Sequence, residues 1–512
     1  MSRHGRLTKT IGLWLAAVAL AAALPYALKI SADHDLWWHV RTGQLILDDR
    51  SLPDADPFSF TATGAAWTNH EWLSDVTLAA LYALGGDRAM SLWRTLLLVA
   101  FLGLFAGLLW RRFPHPLFVL AGVLVATPLI RIFINLRPHG FTYLFALLML
   151  WIFEGSRRRT KLLWGLPVLF ALWTNLHGGF VLGVGMLTVF VAARWLGLED
   201  DGPSPDAKGR RRLIAVYVAS LAAPLLNPYG PGLFTYLARE LGADHSLILE
   251  WRSIWYFPEY RIYFLLLLTV PAVALLLGRR LRPPAPLVML ALSAAATWVH
   301  GRFLVLLVVF SGLVTFSGLQ AASRRFPVLF EGQLLTRLST ARWAWTLCAV
   351  PLLAALLQFS VDLSKKGLRL QIYPMGVPVE ACEFLKAYEL GPNLLLRFDW
   401  GGYAIWHLHP QYKVSGDGRN LTVYDAEFVD EILRAYDEGR FTTYPDRYDV
   451  DVILSESAGP TYHELEAHRD WVQIHQDPVA AVFVRPEIAR TLEDRRTTAP
   501  DVQPASERFF FP

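Results

Sequence analysis

The chain has 512 residues, of which 54% are hydrophobic and 18% charged, and its formal net charge is +4. Mean hydropathy is +0.33, which with this composition exceeds what soluble domains show and indicates a membrane protein. Because Lys and Arg gather in short loops between apolar runs, the charge does not form the basic patch that a nucleic-acid partner would need.

Apolar runs recur along residues 1–360, and by the length needed to cross a bilayer they predict about eleven transmembrane helices. The runs cover residues 11–30, 89–110, 116–134, 141–155, 162–175, 178–197, 212–227, 261–278, 285–299, 303–319 and 343–360. The predicted fold class is therefore an all-α polytopic membrane bundle followed by a small soluble α/β domain.

Basic clusters occupy every second loop between these runs, beginning with Arg3, Arg6 and Lys9. Since cytoplasmic loops carry the excess of Lys and Arg, this alternation places the N-terminus in the cytoplasm. An odd number of spans then leaves the residues after 360 on the outer side.

The first outer loop, residues 31–88, opens with Asp33 and Asp35 directly after the first apolar run. A carboxylate at the membrane centre costs roughly 2.5–3.5 kcal/mol, so these acids mark where the chain emerges into water. Helical apolar spacing after Leu36 and again after Trp72 predicts two amphipathic helices, which we expect to lie along the membrane surface.

The other outer segments are rich in His, Asn, Arg and Trp. Outer arginines run against the positive-inside bias, and a guanidinium pairs bidentately with phosphate, so they predict a phosphate site; the alternative is a topological anchor. The aromatic residues are equally typical of an interfacial belt. The predicted phosphate-binding residues are Arg131, Arg137, His139, Arg252, His300 and Arg302, and the predicted substrate-binding residues in these loops are His39, Asn175 and His177.

The order of a short tail, one span, an acidic motif at the start of a long outer loop, two surface helices and a return span resembles the GT-C glycosyltransferases. This superfamily includes protein O-mannosyltransferases, aminoarabinose transferases and oligosaccharyltransferases, which use polyprenyl-linked sugars and place an essential acid in the first loop. The segments DLWWHVRTGQLIL, DPFSFT and NHEWL are also similar to bacterial membrane proteins related to these enzymes.

The resemblance implies that Asp35 is the catalytic base, with Asp33 beside it, or that the two acids share Mg²⁺ or Mn²⁺. Many members carry adjacent Asp and Glu, whereas His34 separates the two acids here. Two alternatives stay open: His70 and Glu71 form the chemical pair, or an Asp caps the following helix.

Residues 361–490 have a more polar composition and predict a separate α/β domain, followed by a flexible tail at 491–512. The segment DWGGYAIW distantly resembles the WWDYG region of oligosaccharyltransferases, which implies acceptor contacts for Asp399, Trp400 and Tyr403; the alternative is ordinary packing. Gly401 and Gly402 indicate close backbone approach. The segment matches no phosphate-loop pattern, so no nucleotide or redox cofactor is expected.

Together these features predict an integral membrane glycosyltransferase that moves a sugar from a polyprenyl-phosphate donor to a protein, lipid or glycan acceptor. We expect it in the bacterial inner membrane, with residues 1–360 as the transmembrane domain and the chemistry on the extracytoplasmic face. The rival interpretations are a transporter or flippase for a lipid-linked or anionic substrate, in which polar intramembrane residues form a pathway, and a noncatalytic envelope assembly protein.

Overall fold

The structure, a computed structural model, describes residues 3–27, 33–198, 205–242, 251–279, 284–330, 341–366 and 376–496. The chain divides into two compact units, each discontinuous in sequence. The first, here the helical unit, comprises Met1–Lys29, Ser91–Gly230 and His245–Leu368. The second, the mixed unit, comprises Ile30–Met90, Pro231–Asp244 and Arg369–Pro512.

Helices dominate the described residues. In chain order they are α1 Arg3–Ala27, α2 Leu36–Asp49, α3 Trp72–Arg112, α4 Pro116–Ile130, α5 His139–Ser156, α6 Gly165–Leu176, α7 Phe180–Trp195, α8 Ala207–Ala222, α9 Gly232–Leu241, α10 Pro258–Gly278, α11 Pro284–Val299, α12 Leu304–Arg325, α13 Pro327–Phe330, α14 Ala341–Lys366, α15 Val379–Tyr388, α16 Gly401–Leu408, α17 Ala426–Glu438, α18 Pro460–Ala467 and α19 Pro486–Arg496. Short 3₁₀ segments lie at Thr160–Trp164, Ala223–Leu225, Ile254–Tyr256, Gly301–Phe303, Phe398–Trp400, Asn420–Thr422 and Phe441–Asp446.

Helix α3 is interrupted between its amphipathic start and its apolar remainder. Gly85 and Gly86 are non-helical, and Gly86 has a φ of 56° with a ψ of −141°, a conformation that side-chain-bearing residues rarely adopt. The break lies close to the boundary between the units at Met90, so α3 contributes to both.

Small residues set the packing of the helical unit. A methyl group added at Gly318 in α12 would overlap the backbone of Ala274 in α10, and one added at Gly278 would overlap Ala321. The two helices therefore approach backbone to backbone. This is common in membranes, where the hydrophobic effect does not drive helix association and close packing of small residues does.

Among the described residues, three helical segments are long and apolar enough to cross a membrane: Trp72–Arg112, Pro258–Gly278 and Gly301–Arg325. Shorter apolar helices, within the part of the chain that the structure describes, are Leu13–Tyr26, Pro116–Ile130, Phe180–Trp195 and Pro284–Val299. The predicted apolar helical domain is confirmed in this coarse form. The figure of about eleven crossings stays a prediction.

The mixed unit contains a five-stranded sheet of order β2-β1-β3-β5-β4. Its strands are β1 Asn393–Leu396, β2 Lys413–Val414, β3 Val452–Glu456, β4 Val472–Gln476 and β5 Ala480–Val484. Strand β1 pairs in parallel with β2 and β3, whereas β5 runs antiparallel to β3 and β4. The predicted small α/β domain is confirmed in the coarse form of a small sheet with helices in the C-terminal residues.

One amphipathic helix illustrates how this domain is assembled. In α17, Val429, Ile432 and Tyr436 recur at helical spacing and are buried in the core with strand residues such as Leu395. The helix ends at Gly439, whose φ of 67° is the left-handed conformation that glycine supplies at helix C-termini.

The first loop is built into the same unit. The Phe60 amide donates to the Val414 carbonyl at 3.1 Å, and the Val414 amide donates to the Phe58 carbonyl at 2.9 Å. This parallel pairing extends the sheet beyond β2 with a segment from the start of the chain.

A buried charge cluster joins the loop to the C-terminal residues. Arg419, only 2% exposed, donates to Asp56 Oδ1 at 2.6 Å and to both oxygens of Asp417 at 2.8 and 2.7 Å. Its guanidinium also lies over the rings of Phe58 and Trp67, at 4.9 and 4.8 Å from their centroids. Each of the three guanidinium nitrogens therefore donates to a carboxylate oxygen, and the guanidinium also lies against two aromatic rings.

The predicted domains were continuous in sequence, whereas the mixed unit groups residues 30–90 with residues 369–512. The division at 360 and 490 stays a prediction. Within the predicted tail, residues 491–496 belong to α19, and residues 497–512 lie outside the described part.

Candidate functional site

The site in the mixed unit begins at the turn before α2. Asp33 Oδ1 accepts a hydrogen bond from the Asp35 amide at 3.1 Å, and the Leu36 amide donates to the Asp33 carbonyl at 3.1 Å. Asp35 precedes the helix but makes no side-chain capping bond. The capping alternative therefore does not describe Asp35, and Asp33 shapes the turn instead.

Asp35 is buried, with 9% exposure, and packs against the glycine-rich C-terminal segment. Its Oδ1 accepts from Trp38 Nε1 at 3.4 Å. A Cβ added at Gly418 would overlap this carboxylate, and one added at Gly402 would overlap the His34 carbonyl. The close backbone approach predicted for the glycine cluster is confirmed, and the segment approached is the first loop.

The apolar face of α2 is covered by protein. Leu36, Trp37 and Val40 are at most 1% exposed. The Trp37 ring meets Tyr403 edge-on at 4.9 Å and lies 5.4 Å from Trp406, both in α16. The apolar face of α2 is therefore covered by protein, and that the helix lies along the membrane surface stays a prediction, because periodicity shows that a face is buried but not what covers it.

A buried imidazole–carboxylate pair follows one turn later. His39 Nδ1 lies 2.6 Å from Asp75 Oδ1, and the exposures of the two side chains are 2% and 0%. Asn69 Nδ2 donates to the second oxygen of Asp75 at 2.7 Å. The His39 ring stacks on Trp38 with centroids 3.6 Å apart, so the indole that binds Asp35 also supports this imidazole.

Glu71 is the partly exposed carboxylate of the cluster. Its Oε2 lies 4.0 Å from His39 Nε2, and its Oε1 lies 3.6 Å from His70 Nε2. The His70 ring also contacts Tyr236 of α9 at a centroid distance of 5.0 Å. Burial is the main cause that lowers the pKa of His70, to about 4, so this imidazole is neutral at pH 7.

The mixed unit therefore brings together His39, His70 and Glu71, with Asp35 joined to them through Trp38. Asn69, Asp75 and Tyr236 complete the cluster, although sequence reasoning did not select them. For Asp75 a signal was present, because it follows Glu71 by four residues and so lies on the same helical face. Nothing local marked Tyr236, which comes from a distant helix.

A second polar cluster lies within the helical unit, where α5, α6 and α7 meet. His177 Nδ1 lies 2.7 Å from Thr142 Oγ1 and accepts from the Gly179 amide at 2.9 Å. The ring of His139 lies 6.4 Å from that of His177. Among the predicted residues here, His139 and His177 are thus neighbours, and Thr142 links them to the helix core.

Aromatic and backbone contacts join the predicted arginines of the later helices. The Tyr143 hydroxyl donates to the Arg302 carbonyl at 2.9 Å, and the Arg302 guanidinium lies 4.5 Å above the Trp251 ring. His300 Nδ1 lies 2.6 Å from the Trp251 carbonyl, and the Arg252 carbonyl accepts from the Gly301 amide at 2.8 Å. Arg252, His300 and Arg302 therefore belong to one cluster.

The remaining predicted residues of the helical unit are Arg131, Asn175 and Arg137, and each takes part in a hydrogen bond to a backbone carbonyl. The guanidinium of Arg131 lies 4.5 Å above the Tyr26 ring, and its carbonyl accepts from Arg94. Asn175 donates to the Ala171 and Leu226 carbonyls, which ties together the chain around the end of α6. Arg137 precedes α5 and its carbonyl accepts from the Gly140 amide.

The acceptor residues predicted from DWGGYAIW lie at the start of α16. Trp400 is 2% exposed and donates from Nε1 to the Gly376 carbonyl, and Tyr403 is 1% exposed against Trp37. Asp399 Oδ1 lies 2.6 Å from Arg397 Nε at the surface. Acceptor binding by these residues stays a prediction.

Metal binding was predicted at Asp33 and Asp35. Within the described ranges no group of three or more His, Cys, Asp or Glu side chains is placed to hold a metal ion. Two carboxylates would therefore need water or substrate phosphate to complete an Mg²⁺ shell. The metal stays a prediction.

No family model and no curated protein matches the chain. Among solved structures, the chain is similar to ArnT from Cupriavidus metallidurans bound to undecaprenyl phosphate. The identity is 11%, the match covers 95% of this chain and 99% of ArnT, and the TM-score is 0.45. A similarity with this TM-score carries no argument about function, so the proposal below rests on the chain's own residues.

Proposed function

We propose that this chain is a membrane glycosyltransferase of the GT-C type, which transfers a sugar from a polyprenyl-phosphate-linked donor to an acceptor on the extracytoplasmic face. The observation that carries the proposal is the first-loop cluster, in which the partly exposed Glu71 carboxylate lies between His39 and His70. A carboxylate that faces solvent on one side and imidazoles on the other is suited to receive an acceptor proton.

The reaction follows from these groups. The acceptor oxygen attacks the anomeric carbon of the sugar, and the bond from that carbon to the phosphate oxygen breaks, so the polyprenyl phosphate leaves with the electron pair. The acceptor proton passes to Glu71, which we favour over Asp35 as base because Asp35 is buried against Gly418 and Trp38. Asp35 then orients the cluster through Trp38.

Phosphate binding requires cations, and we propose separately that the helical unit carries a set of basic residues suited to it. His300 and Arg302 contact Trp251, and Arg252 joins the same segment through its backbone carbonyl while its guanidinium lies over the Tyr256 ring. Guanidinium and imidazole groups match the charge and hydrogen-bonding needs of a phosphate monoester or diester. Arg131, Arg137 and His139 are the further members of this proposed set.

The proposed sidedness is supported by the mixed unit itself. Asp56 and Arg419 are in contact, so the first loop and the C-terminal residues must lie on the same side of the membrane. The chain between them then crosses an even number of times, as the predicted topology requires. We propose the bacterial inner membrane, with both segments outside. A reporter fused after Asp362 should be active only on the outer side, and cytoplasmic activity would refute this assignment.

The test uses the full chain in lipid nanodiscs with a panel of radiolabelled polyprenyl-phosphate hexoses and pentoses, and measures sugar release. Glu71→Gln should lower turnover about 10²–10⁴-fold, the range that a lost proton-transfer group produces. Arg302→Gln should weaken the binding of undecaprenyl phosphate while the Tm of the protein stays close to that of the wild type. His475→Gln, which alters a His–Asp pair in the α/β domain, is the matched control and should leave both unchanged.

Equal turnover in Glu71→Gln, Asp35→Asn and the wild type would overturn the base assignment. If the wild type neither releases sugar from any donor nor binds undecaprenyl phosphate, the proposed function is wrong. The divalent cation at Asp33 and Asp35 is tested in the same assay by chelation, which should abolish turnover if the ion is required and leave it intact otherwise.

A further inference from the structure

Glu71 is backed by a buried chain of polar groups that the first-loop acids alone do not explain. Asn69 donates to Asp75, Asp75 lies 2.6 Å from His39 Nδ1, and His39 Nε2 lies 4.0 Å from Glu71. A carboxylate therefore lies near each ring nitrogen of one buried imidazole.

The geometry assigns the protons. At 2.6 Å His39 Nδ1 and Asp75 Oδ1 share one proton in a short hydrogen bond. Asp75 is fixed in this orientation because its other oxygen accepts from Asn69. In the proposed arrangement the second ring proton is on Nε2, the nitrogen that faces Glu71.

The distance to Glu71 suits a group that acts during the reaction. A separation of 4.0 Å permits ion pairing but exceeds a hydrogen bond. Catalytic hydrogen bonds are often long without substrate and shorten only in the reacting complex. A rotation of the partly exposed Glu71 side chain would close this gap, whereas His39 and Asp75 are held by their buried contacts.

The helix crossing keeps this pair in register. Gly43 of α2 lies directly against the Asp75 carbonyl of α3, and a methyl group there would overlap the Asp75 backbone. The stacked Trp38 ring closes the other face of His39. Both elements that carry the pair are therefore fixed at the point where the pair forms.

We propose that Asp75 and His39 are positioning residues for Glu71: Asp75 fixes the His39 ring, and His39 Nε2 orients Glu71 and stabilises its charge. The inference rests on the proposed function and adds two residues to that site. Before the transfer, His39 Nε2–H holds the ionised Glu71 carboxylate, and the acceptor proton then moves from the acceptor oxygen to Glu71. The proton shared by His39 Nδ1 and Asp75 does not move.

The experiment compares His39→Gln and Asp75→Asn with the wild type by two readouts. The first is kinetic: both variants should lower kcat about 10²–10⁴-fold while donor KM stays close to that of the wild type, because neither residue touches the donor. The second is independent of turnover: carbodiimide labelling of Glu71, mapped by mass spectrometry, should rise on the order of tenfold when the orienting imidazole is lost.

His475→Gln is again the matched control and should change neither readout, since His475 pairs with Asp477 outside this cluster. Unchanged Glu71 labelling together with wild-type kcat in Asp75→Asn would overturn the inference. So would a kcat loss in both variants that is matched by an equal loss of folded protein, with labelling unaltered. If the wild type shows no transfer, the proposed function fails, and the labelling result still decides whether the pair orients Glu71.

Discussion

The buried Arg419 offers a direct test of how the first loop is held. We predict that Arg419→Met, which keeps the length of the side chain and removes its charge, strongly destabilises the mixed unit. The guanidinium makes three side-chain hydrogen bonds to carboxylates, at 2.6, 2.7 and 2.8 Å. Its loss leaves two carboxylates, Asp56 and Asp417, buried with no cation between them.

The remaining contacts set the size of the effect. Asp56 keeps hydrogen bonds from the Phe58 and Ser59 amides and the Ser59 hydroxyl, and Asp417 keeps those from the Tyr424 hydroxyl and the backbone amide of residue 419. One carboxyl can escape the repulsion by protonation, which costs about 4 kcal/mol at pH 7 for a group with an ordinary pKa. That cost caps the loss and agrees with the 3–5 kcal/mol, roughly, of a broken buried pair. The expected fall in Tm is then about 8–16 °C.

The assay is thermal unfolding of the full chain in detergent, followed by tryptophan fluorescence at a fixed heating rate. Arg434→Met is the matched control, because Arg434 pairs with Asp430 at the surface and should contribute at most about 1 kcal/mol. The double variant Arg419→Met with Asp417→Asn should recover part of the loss, because one stranded charge is gone. A loss no greater than that of the control, or no recovery in the double variant, would refute the reasoning.

Three further predictions concern the buried carboxylate Asp417 and the closely packed glycines Gly418 and Gly318. Burial alone would raise the pKa of Asp417, but Arg419 outweighs it and lowers that pKa, so the stabilisation is full above pH about 4 and is lost as the pH falls further; acid unfolding of Asp417→Asn should show a weaker dependence. Gly418→Ala should lower Tm, because its methyl group would overlap Asp35. Gly318→Leu should separate two helices of the helical unit and lower the yield of folded protein in detergent.

Controls for the glycine variants are Gly232→Ala and Gly185→Ala, since a Cβ at either position meets nothing within 4 Å. Equal Tm values for Gly418→Ala and Gly232→Ala would contradict the packing argument at Asp35. A weak pH dependence in the wild type, unaltered in Asp417→Asn, would contradict the electrostatic one. Normal recovery of folded Gly318→Leu would show that the helices tolerate separation.

Local patterns were enough to predict the elements. Apolar runs predicted helices of the helical unit, and the more polar composition after residue 360 predicted a separate α/β domain. Local patterns did not predict which distant segment each element packs against. Asp56 and Arg419 are 363 positions apart, and neither sequence segment carries a sign that identifies the other. The discontinuous mixed unit could therefore be found only from the fold.

The candidate site shows the same division. The proximity of His70 to Glu71 follows from adjacency in the chain, and both were selected for their chemistry. His39 was selected as a substrate contact, yet it is buried and bound to Asp75. An acid in the first turn of a helix has an ordinary explanation, its favourable interaction with the helix dipole. The sequence alone therefore does not select Asp75 as part of the site. Burial, which sequence does not give, separates these interpretations.

The pairing of Asp56 with Arg419 also has a consequence for synthesis of the chain. Asp56 leaves the ribosome 363 residues before its cation, which at about 5–20 residues per second is a delay of about 20–70 s. During that interval the backbone of Phe58 and Phe60 has no strand beside it, because Val414 is still to be made. The mixed unit can therefore fold only after nearly all of the helical unit has been synthesised, and a chain that stops before residue 414 would leave its first loop unfinished.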